Sequence, residues 1–192
     1  MSGKKDELMK IVGAEKVADD PVALDAYSRD LSFTTPRRPL LVVRPGNSDD
    51  VQNIVRWANG TGTPLVPVSS GPPRFRGDSV PGAEGAVIVD LSGMKRILKI
   101  DRRNRLALIE PGVTYTELIP PLQAEGLRLV MPLLPRQNKS VIASLLEREP
   151  LMSPRYQWNM SEPLRSLEII WGNGDKFYSG SGALRGERDE DW

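Results

Sequence analysis

The most regular stretch of the chain lies between Asn47 and Gly62. Val51, Ile54, Val55 and Ala58 recur at i, i+3, i+4 and i+7, which is one apolar face of a helix. Asp49 and Asp50 fall in its first turn, where carboxylates oppose the positive end of the macrodipole. Asn47 or Ser48 is the predicted cap, and Gly60 and Gly62 end the helix. Short apolar runs flank it. "RRPLLVVRPG", closed by Pro45–Gly46, precedes it and "TPLVPV" follows, and both read as strands. Strand, helix and strand form a βαβ unit whose strands are expected side by side and parallel. Upstream, Lys4 to Val12 predicts a short helix stopped at Gly13. Asp20–Pro21 opens another, with proline at the first helical position, that runs to about Asp30.

Beyond residue 85 the pattern changes. "AVIVDLS", "RILKID" and "RLALIEPG" are short strands in close succession, the last two joined by the tight turn "DRRN". "TYTEL" offers a capping box, Thr114 with Glu117, for a helix that turns Leu118 and Leu122 inward and stops at Gly126. Pro120 and Pro121 each remove a helix N–H, so this helix is expected to be short or bent. "LRLVMP" reads as extended. Residues 135–163 are irregular apart from a turn of helix in "SVIASLLERE", and "LRSLEIIWGNGDKFYSGSG" is a hairpin with Asn173–Gly174 as a two-residue turn. The fold class that follows is α+β: a small parallel βαβ lobe packed on a mixed or antiparallel sheet lobe, with helices on the outer faces.

Composition narrows the chemistry more than the fold. The 192 residues are 39% hydrophobic, enough for a real core, and 26 Lys and Arg against 25 Asp and Glu give no case for a nucleic-acid partner. No apolar run approaches the ~18 residues of a membrane span. "MSGKKDELMKIV" has no secretory h-region, so a cytoplasmic protein is expected. There is no cysteine and no histidine, which removes thiol nucleophiles, zinc–thiolate sites, imidazole bases and the Ser–His–Asp triad. No D-x-D-x-D spacing points to a metal. Redox or transfer chemistry here is expected to come from a cofactor or from another part of an assembly.

"SSGPPRFRGDSVPG", Ser69 to Gly82, interrupts the alternation with a stiff, cationic loop between two buried strands. Arg74 and Arg76 carry its charge, and solvated loop charges are the plain reading of them. Asp90, at the end of a buried strand, reads as fixing a turn. Glu147, Arg148 and Glu149 read as a solvated face. Trp171 reads as core packing, and Tyr156 and Trp158 either stack on a ring or fill a core.

The order and wording of "RPLLVVRPGNSDDVQNIVRWANGTGTPLVPVSSG", "GAVIVDLSGMKRILKIDRRNRLALIEPGVTYTEL", "GLRLVMPLLP", "KSVIASLLERE" and "EPLRSLEIIWGNGDKFYSGSGA" resemble one family. It is the FAD-binding domain of the vanillyl-alcohol oxidase and p-cresol methylhydroxylase flavoproteins, which include flavin-linked glycolate and D-lactate dehydrogenases. The resemblance spans residues 37–183 and makes residues 1–36 an N-terminal helical segment and 184–192 a charged tail. It implies FAD, held non-covalently because the chain has no histidine or cysteine to tether it. In the family the loop after the second strand wraps the FAD pyrophosphate, which places Val68, Ser69, Ser70, Gly71, Arg74, Phe75, Arg76, Gly77 and Asp78 on the cofactor. A second contact falls in the segment Met131 to Leu145, on Pro132, Leu133, Ser140, Val141, Ser144 and Leu145.

Two departures stand out. Pro72 and Pro73 replace glycines that would donate N–H groups, and Ile142, Ala143 and Ser144 replace glycines or Gly–Asn in the second contact. The resemblance also implies a cap domain, which is expected to lie outside these 192 residues. The chain is then an FAD-binding portion or subunit, inactive alone, of an oxidoreductase acting on a 2-hydroxy acid or a phenolic alcohol. A partner chain or a homo-oligomer covers the remaining face. The alternatives are a cofactor-free scaffold subunit with a degenerate flavin site, or a module for another phosphate-bearing ligand. No side chain is assigned a catalytic role.

Overall fold

Val42, Ile88 and Val66 lie side by side in one row of a four-stranded sheet. The computed structural model describes residues 2–77, 79–133, 136–152 and 163–180. In chain order the first lobe contains α1 (Ser2–Val12), β1 (Val17–Ala18), α2 (Pro21–Asp25), β2 (Leu41–Val43), α3 (Ser48–Thr61), β3 (Leu65–Val68) and β4 (Val87–Asp90). The strand order is β1-β2-β4-β3, with β4 parallel to both β2 and β3 and β1 antiparallel to β2. The expected pairing of β2 with β3 is therefore corrected, because β4 lies between them. Every residue of β4 is buried, and a strand of that kind is placed best where both of its edges and both of its faces are covered.

Alternation along the strands sorts the core into two layers. Leu41, Val43, Val87 and Val89 meet Leu8 and Val12 of α1 and Ile54 of α3 on one face. Val42, Ile88 and Val68 meet Leu24 and Tyr27 on the other. Helix α3 begins where Asn47 Oδ1 accepts the Asp50 N–H at 2.8 Å and ends at Gly62 in the left-handed region, with Gly60 inside it. Helix α2 stops at Asp25, not near Asp30. The chain bends after Tyr27, whose ring is buried, and residues 30–31 are bonded to the loop after β3.

The second lobe holds β5 (Ile97–Asp101), β6 (Leu106–Ile109), α4 (Tyr115–Ala124), β7 (Met131–Pro132), α5 (Val141–Leu146) and β8 (Leu151–Met152), followed by β9 (Glu168–Ile170) and β10 (Lys176–Tyr178). The pairs β5–β6, β7–β8 and β9–β10 are antiparallel. Its core gathers Val113, Tyr115, Leu118, Leu122, Val141 and Leu145. Helix α4 continues through Pro120 and Pro121, longer than expected. Pro120 is exposed, and so is Thr116, so water can reach the carbonyl that the proline leaves without a donor.

The last hairpin turns one residue earlier than predicted. Gly174 N–H donates to Trp171 O at 2.8 Å, which puts Gly172 and Asn173 at the centre, and Gly174, at φ 86°, closes a three-residue loop. Trp171 is half exposed and lies 5.9 Å from the Phe177 ring, a correction to core packing. The hairpin is two-stranded, and its turn is held to α3 by Gln52 and Asn59 donating to Gly174 O and Gly172 O. Among the described residues no helix is long and apolar enough to cross a membrane.

Candidate functional site

Strands β3 and β4 end together at Val68 and Asp90, and the loop that leaves β3 crosses this edge. The carboxyl edge of parallel strands is where ligands of open α/β sheets bind. Here the two predicted contact segments meet. Gly71 N–H donates to Asn138 O at 2.9 Å, Asn138 Nδ2 donates to Pro72 O at 3.3 Å, and Ser140 N–H donates to Ser70 Oγ at 3.1 Å. Ser140 is fully buried; its hydroxyl donates to Pro111 O at 2.6 Å and accepts the Ala143 N–H that opens α5. Gly112, beside Pro111, has no room for a Cβ, which would sit 2.6–2.7 Å from the carbonyl oxygens of Leu91, Ser92 and Met94.

The loop is also tied to the N-terminal segment. Leu31 N–H donates to Arg74 O at 2.8 Å, and Gly77 N–H donates to Asp30 Oδ2 at 2.5 Å. Burial resists ionisation of Asp30, but hydrogen bonds from Ser32 and Gly77 outweigh it and hold the carboxyl below its ordinary value. The Arg74 guanidinium lies 4.5 Å over the Tyr27 ring, and its Nε donates to Ser70 O at 3.2 Å. Tyr27 in turn donates to Asp90 Oδ2 at 2.8 Å. Burial first, then the charge and hydrogen bond of Asp90, push its phenol up to about 12. Asp90 accepts from the Ser92 N–H and hydroxyl at 3.0 and 2.6 Å and is paired with Arg44 at 3.4 Å, so it fixes the turn as read.

The remaining cations are paired with Glu147 and Glu149. Arg76 divides its fork, NH1 to Glu147 at 3.2 Å and NH2 to Glu149 at 3.3 Å. Arg136 reaches the same Glu149 oxygen at 3.2 Å. Lys139, whose side chain is 5% exposed, contacts Glu147 directly and stands 3.9 Å from Glu149. Ser144, fully buried, donates its hydroxyl to the other Glu149 oxygen. Burial opposes ionisation of Glu149, yet Ser144, Lys139 and Arg136 together keep it below the usual carboxylate range. The expected solvated face at residues 147–149 is corrected. Helix α5 ends at Leu146, and Arg148, at φ 52°, turns the following glutamate inward.

These groups surround a cavity of about 140 Å³ lined by Ser69, Ser70, Arg74, Arg76, Arg136 and Lys139, among others. A neighbouring cavity of about 200 Å³ shares Ser69 and is bordered by Gly71, Lys95, Thr114 and Asn138. Each is smaller than the roughly 300–1,000 Å³ of a typical cofactor pocket. The donor set fits the phosphate part of a dinucleotide: hydroxyls, guanidinium forks and a buried ammonium converge on one hollow.

Of the predicted residues, Val68, Ser69, Ser70, Arg74, Phe75 and Arg76 line the first cavity and Gly71 lines the second. Gly77 is turned to Asp30, and Asp78 lies outside the described residues, as do Tyr156 and Trp158. Val141 and Leu145 pack in the core of the second lobe, Ser140 and Ser144 serve as buried hydrogen-bonding posts, Pro132 is buried in β7 and Leu133 is exposed. Ala143, one of the departures from the family pattern, lines the cavity itself. Arg136 and Lys139 fall within the 131–145 segment that the resemblance places on the cofactor, but they are not singled out there; their signal is a polar run, "RQNK", just before the Ser140 cap.

Residues 39–175 match the FAD binding domain family. Over 178 residues, 92% of this chain and 32% of the relative, the sequence is 29% identical to 1'-carboxy-chondrochloren decarboxylase of Chondromyces crocatus. Over 113 residues, 59% of this chain and 24% of the relative, it is 36% identical to D-2-hydroxyglutarate dehydrogenase of Stutzerimonas stutzeri. The fold superposes on 4-ethylphenol oxidase of Gulosibacter chungangensis with a TM-score of 0.82 at 28% identity, covering 97% of this chain and 36% of the oxidase. The chain thus spans about a third or less of the length of these relatives.

Proposed function

Since this chain belongs to the FAD-binding domain family, we propose that it is the cofactor-holding part of a flavin-dependent oxidoreductase acting on a phenolic alcohol or a 2-hydroxy acid. The observation that carries the reading is the convergence of Ser69, Ser70, Arg76, Arg136 and Lys139 at the carboxyl edge of β3 and β4. The phenolic class draws on the likeness to 4-ethylphenol oxidase, which runs almost the whole length of the chain, and the 2-hydroxy acid class on the likeness to D-2-hydroxyglutarate dehydrogenase. Bound FAD supplies the hydride-accepting chemistry that the side chains of this protein lack. The chain's own part is binding and orientation. Arg76, Arg136 and Lys139 neutralise the pyrophosphate, Ser69 and Ser70 donate to its oxygens, and Phe75, with the Arg136 guanidinium 5.3 Å over its ring, lines the same cavity. Attachment is non-covalent, and the substrate side of the site comes from a further domain, a partner chain or a second copy.

One observation favours the second reading, a cofactor-free scaffold: Pro72 and Pro73 donate no N–H, and the cations are already paired. Incubation with FAD, desalting and a visible spectrum separate the two. Flavin absorbance that stays with the protein and is released to the supernatant on acid precipitation supports the proposal. A colourless protein after incubation favours the scaffold, and colour in the acid pellet rules out non-covalent attachment.

A further inference from the structure

We infer that Glu147 and Glu149 are an internal anion, seated on the cations that a phosphate group takes, so that ligand binding at this loop is an exchange of carboxylate for phosphate. The inference rests on the reading of the cavity as a phosphate site and adds a displaceable occupant to it. Guanidinium forks hold carboxylates and phosphates by the same paired, charge-assisted hydrogen bonds, so the two anions compete for the same donors. Arg76 is ion-paired with both Glu147 and Glu149, Lys139 contacts the same two carboxylates, and Arg136 reaches Glu149. Lys139 is almost fully buried, and a buried ammonium requires a counter-charge at all times. Whichever anion is present must satisfy it.

Both carboxylates belong to one short turn. Glu147 and Glu149 flank Arg148, whose left-handed backbone is an uncommon state for a residue with a side chain. Hydrogen bonds from Arg148 N–H to Leu145 O and from Glu149 N–H to Ser144 O, at 3.1 and 3.2 Å, hold the turn closed. Opening this one turn withdraws both carboxylates and relaxes Arg148. With them in place, three cations face two carboxylates and the cluster carries a single net positive charge. With them withdrawn, all three cations face the ligand.

A fixed staple makes the opposite prediction. If the carboxylates only pin the loop to α5, removing one loosens the site and weakens binding. The test uses Glu149→Gln and Glu147→Gln in the 192-residue chain, each near-isosteric and each checked for folding by circular dichroism. Inorganic pyrophosphate is titrated by calorimetry, FAD by fluorescence, and melting is followed with and without pyrophosphate. The exchange predicts a lower Tm without ligand, because a buried cation has lost its partner. It also predicts pyrophosphate binding tighter by about tenfold or more, and a larger rise in Tm on adding pyrophosphate than the parent shows. Affinity that is unchanged or weaker in both variants overturns the exchange and leaves a staple. Should Glu149→Gln fail to fold, Glu147→Gln decides by the same criterion. Pyrophosphate bound more tightly by the variants while no form binds FAD overturns the flavin reading and leaves the exchange standing. No pyrophosphate binding by any form overturns the exchange.

Discussion

Tyr27 donates its hydroxyl to Asp90 at 2.8 Å while its ring carries the Arg74 guanidinium 4.5 Å away. One side chain thus links the end of a buried strand to the cationic loop, and it comes from a segment that precedes the family match at residues 39–175. The link is pH-sensitive on the alkaline side. A free phenol titrates at ~10, and burial together with Asp90 pushes this one up to about 12. Below pH 10 both states hold the proton and the contribution is fully present. As pH climbs towards 12 the unfolded chain loses its proton first, and this contribution to stability is progressively lost. Denaturant melts across this range are expected to show that loss in the parent and not in Tyr27→Phe; equal slopes would refute it.

Arg74 and Arg76 line the same cavity but are held differently, one on an aromatic ring and one on carboxylates. If the cavity they line takes a phosphate group as proposed, replacing either by alanine removes a cation from it, and FAD or pyrophosphate affinity is expected to fall about tenfold or more. Arg74→Lys is expected to recover only part of the loss. An ammonium keeps the charge but loses the planar guanidinium that rests on Tyr27 and donates to Ser70. Fluorescence-quenching titration measures all three variants; affinities equal to the parent's would make both arginines plain loop charges.

Much of this is legible in the amino-acid sequence. The period of Ile54 and Ala58, the Asn47 cap and the Thr114–Glu117 pair mark α3 and α4, because helix starts are written in local hydrogen bonding. The position of β4 between β2 and β3 is not legible, since strand order is a matter of which faces can be covered once the helices are packed. At the site the cations of the loop can be read, but their partners cannot. Glu147 and Glu149 look like surface charges in a sequence, but Glu147 caps the end of α5 beside Arg76 and the turn at Arg148 brings Glu149 to the same guanidinium. Arg136 and Lys139 sit in irregular backbone, where no period marks which side chains turn inward.

Gly112 is a position where one methyl group decides the local structure. A Cβ at this position would meet three backbone carbonyl oxygens at 2.6–2.7 Å, and backbone oxygens cannot swing aside as a flexible side chain does. Gly112→Ala is expected to destabilise the protein by the upper part of roughly 1–3 kcal/mol. The shift also moves Pro111, whose carbonyl accepts from Ser140, so pyrophosphate affinity should fall with stability. Chemical denaturation and calorimetry on the same preparation test both effects, and an alanine variant as stable as the parent would contradict the close approach.

Glu110 anchors the same turn from the other side. Its carboxylate is buried and accepts from the Arg96 N–H at 2.7 Å and from Arg96 Nε at 2.8 Å, while the Arg96 side chain is 68% exposed. The asymmetry fixes the order of the effects. Glu110→Ala removes the charge-assisted hydrogen bond that the Arg96 N–H donates to the carboxylate, which costs about 1.5–3 kcal/mol. Glu110→Gln keeps an acceptor for that N–H and gives up only the charge towards an exposed guanidinium, so its loss is expected to stay near 1 kcal/mol or below. Arg96→Ala leaves the N–H to carboxylate bond intact and removes only the side-chain contacts, which places it between the two. Urea melts of the three variants give the ranking. If Glu110→Gln proves as damaging as Glu110→Ala, the charge and not the hydrogen bond from the Arg96 N–H holds the hairpin of β5 and β6 to the turn that carries Gly112.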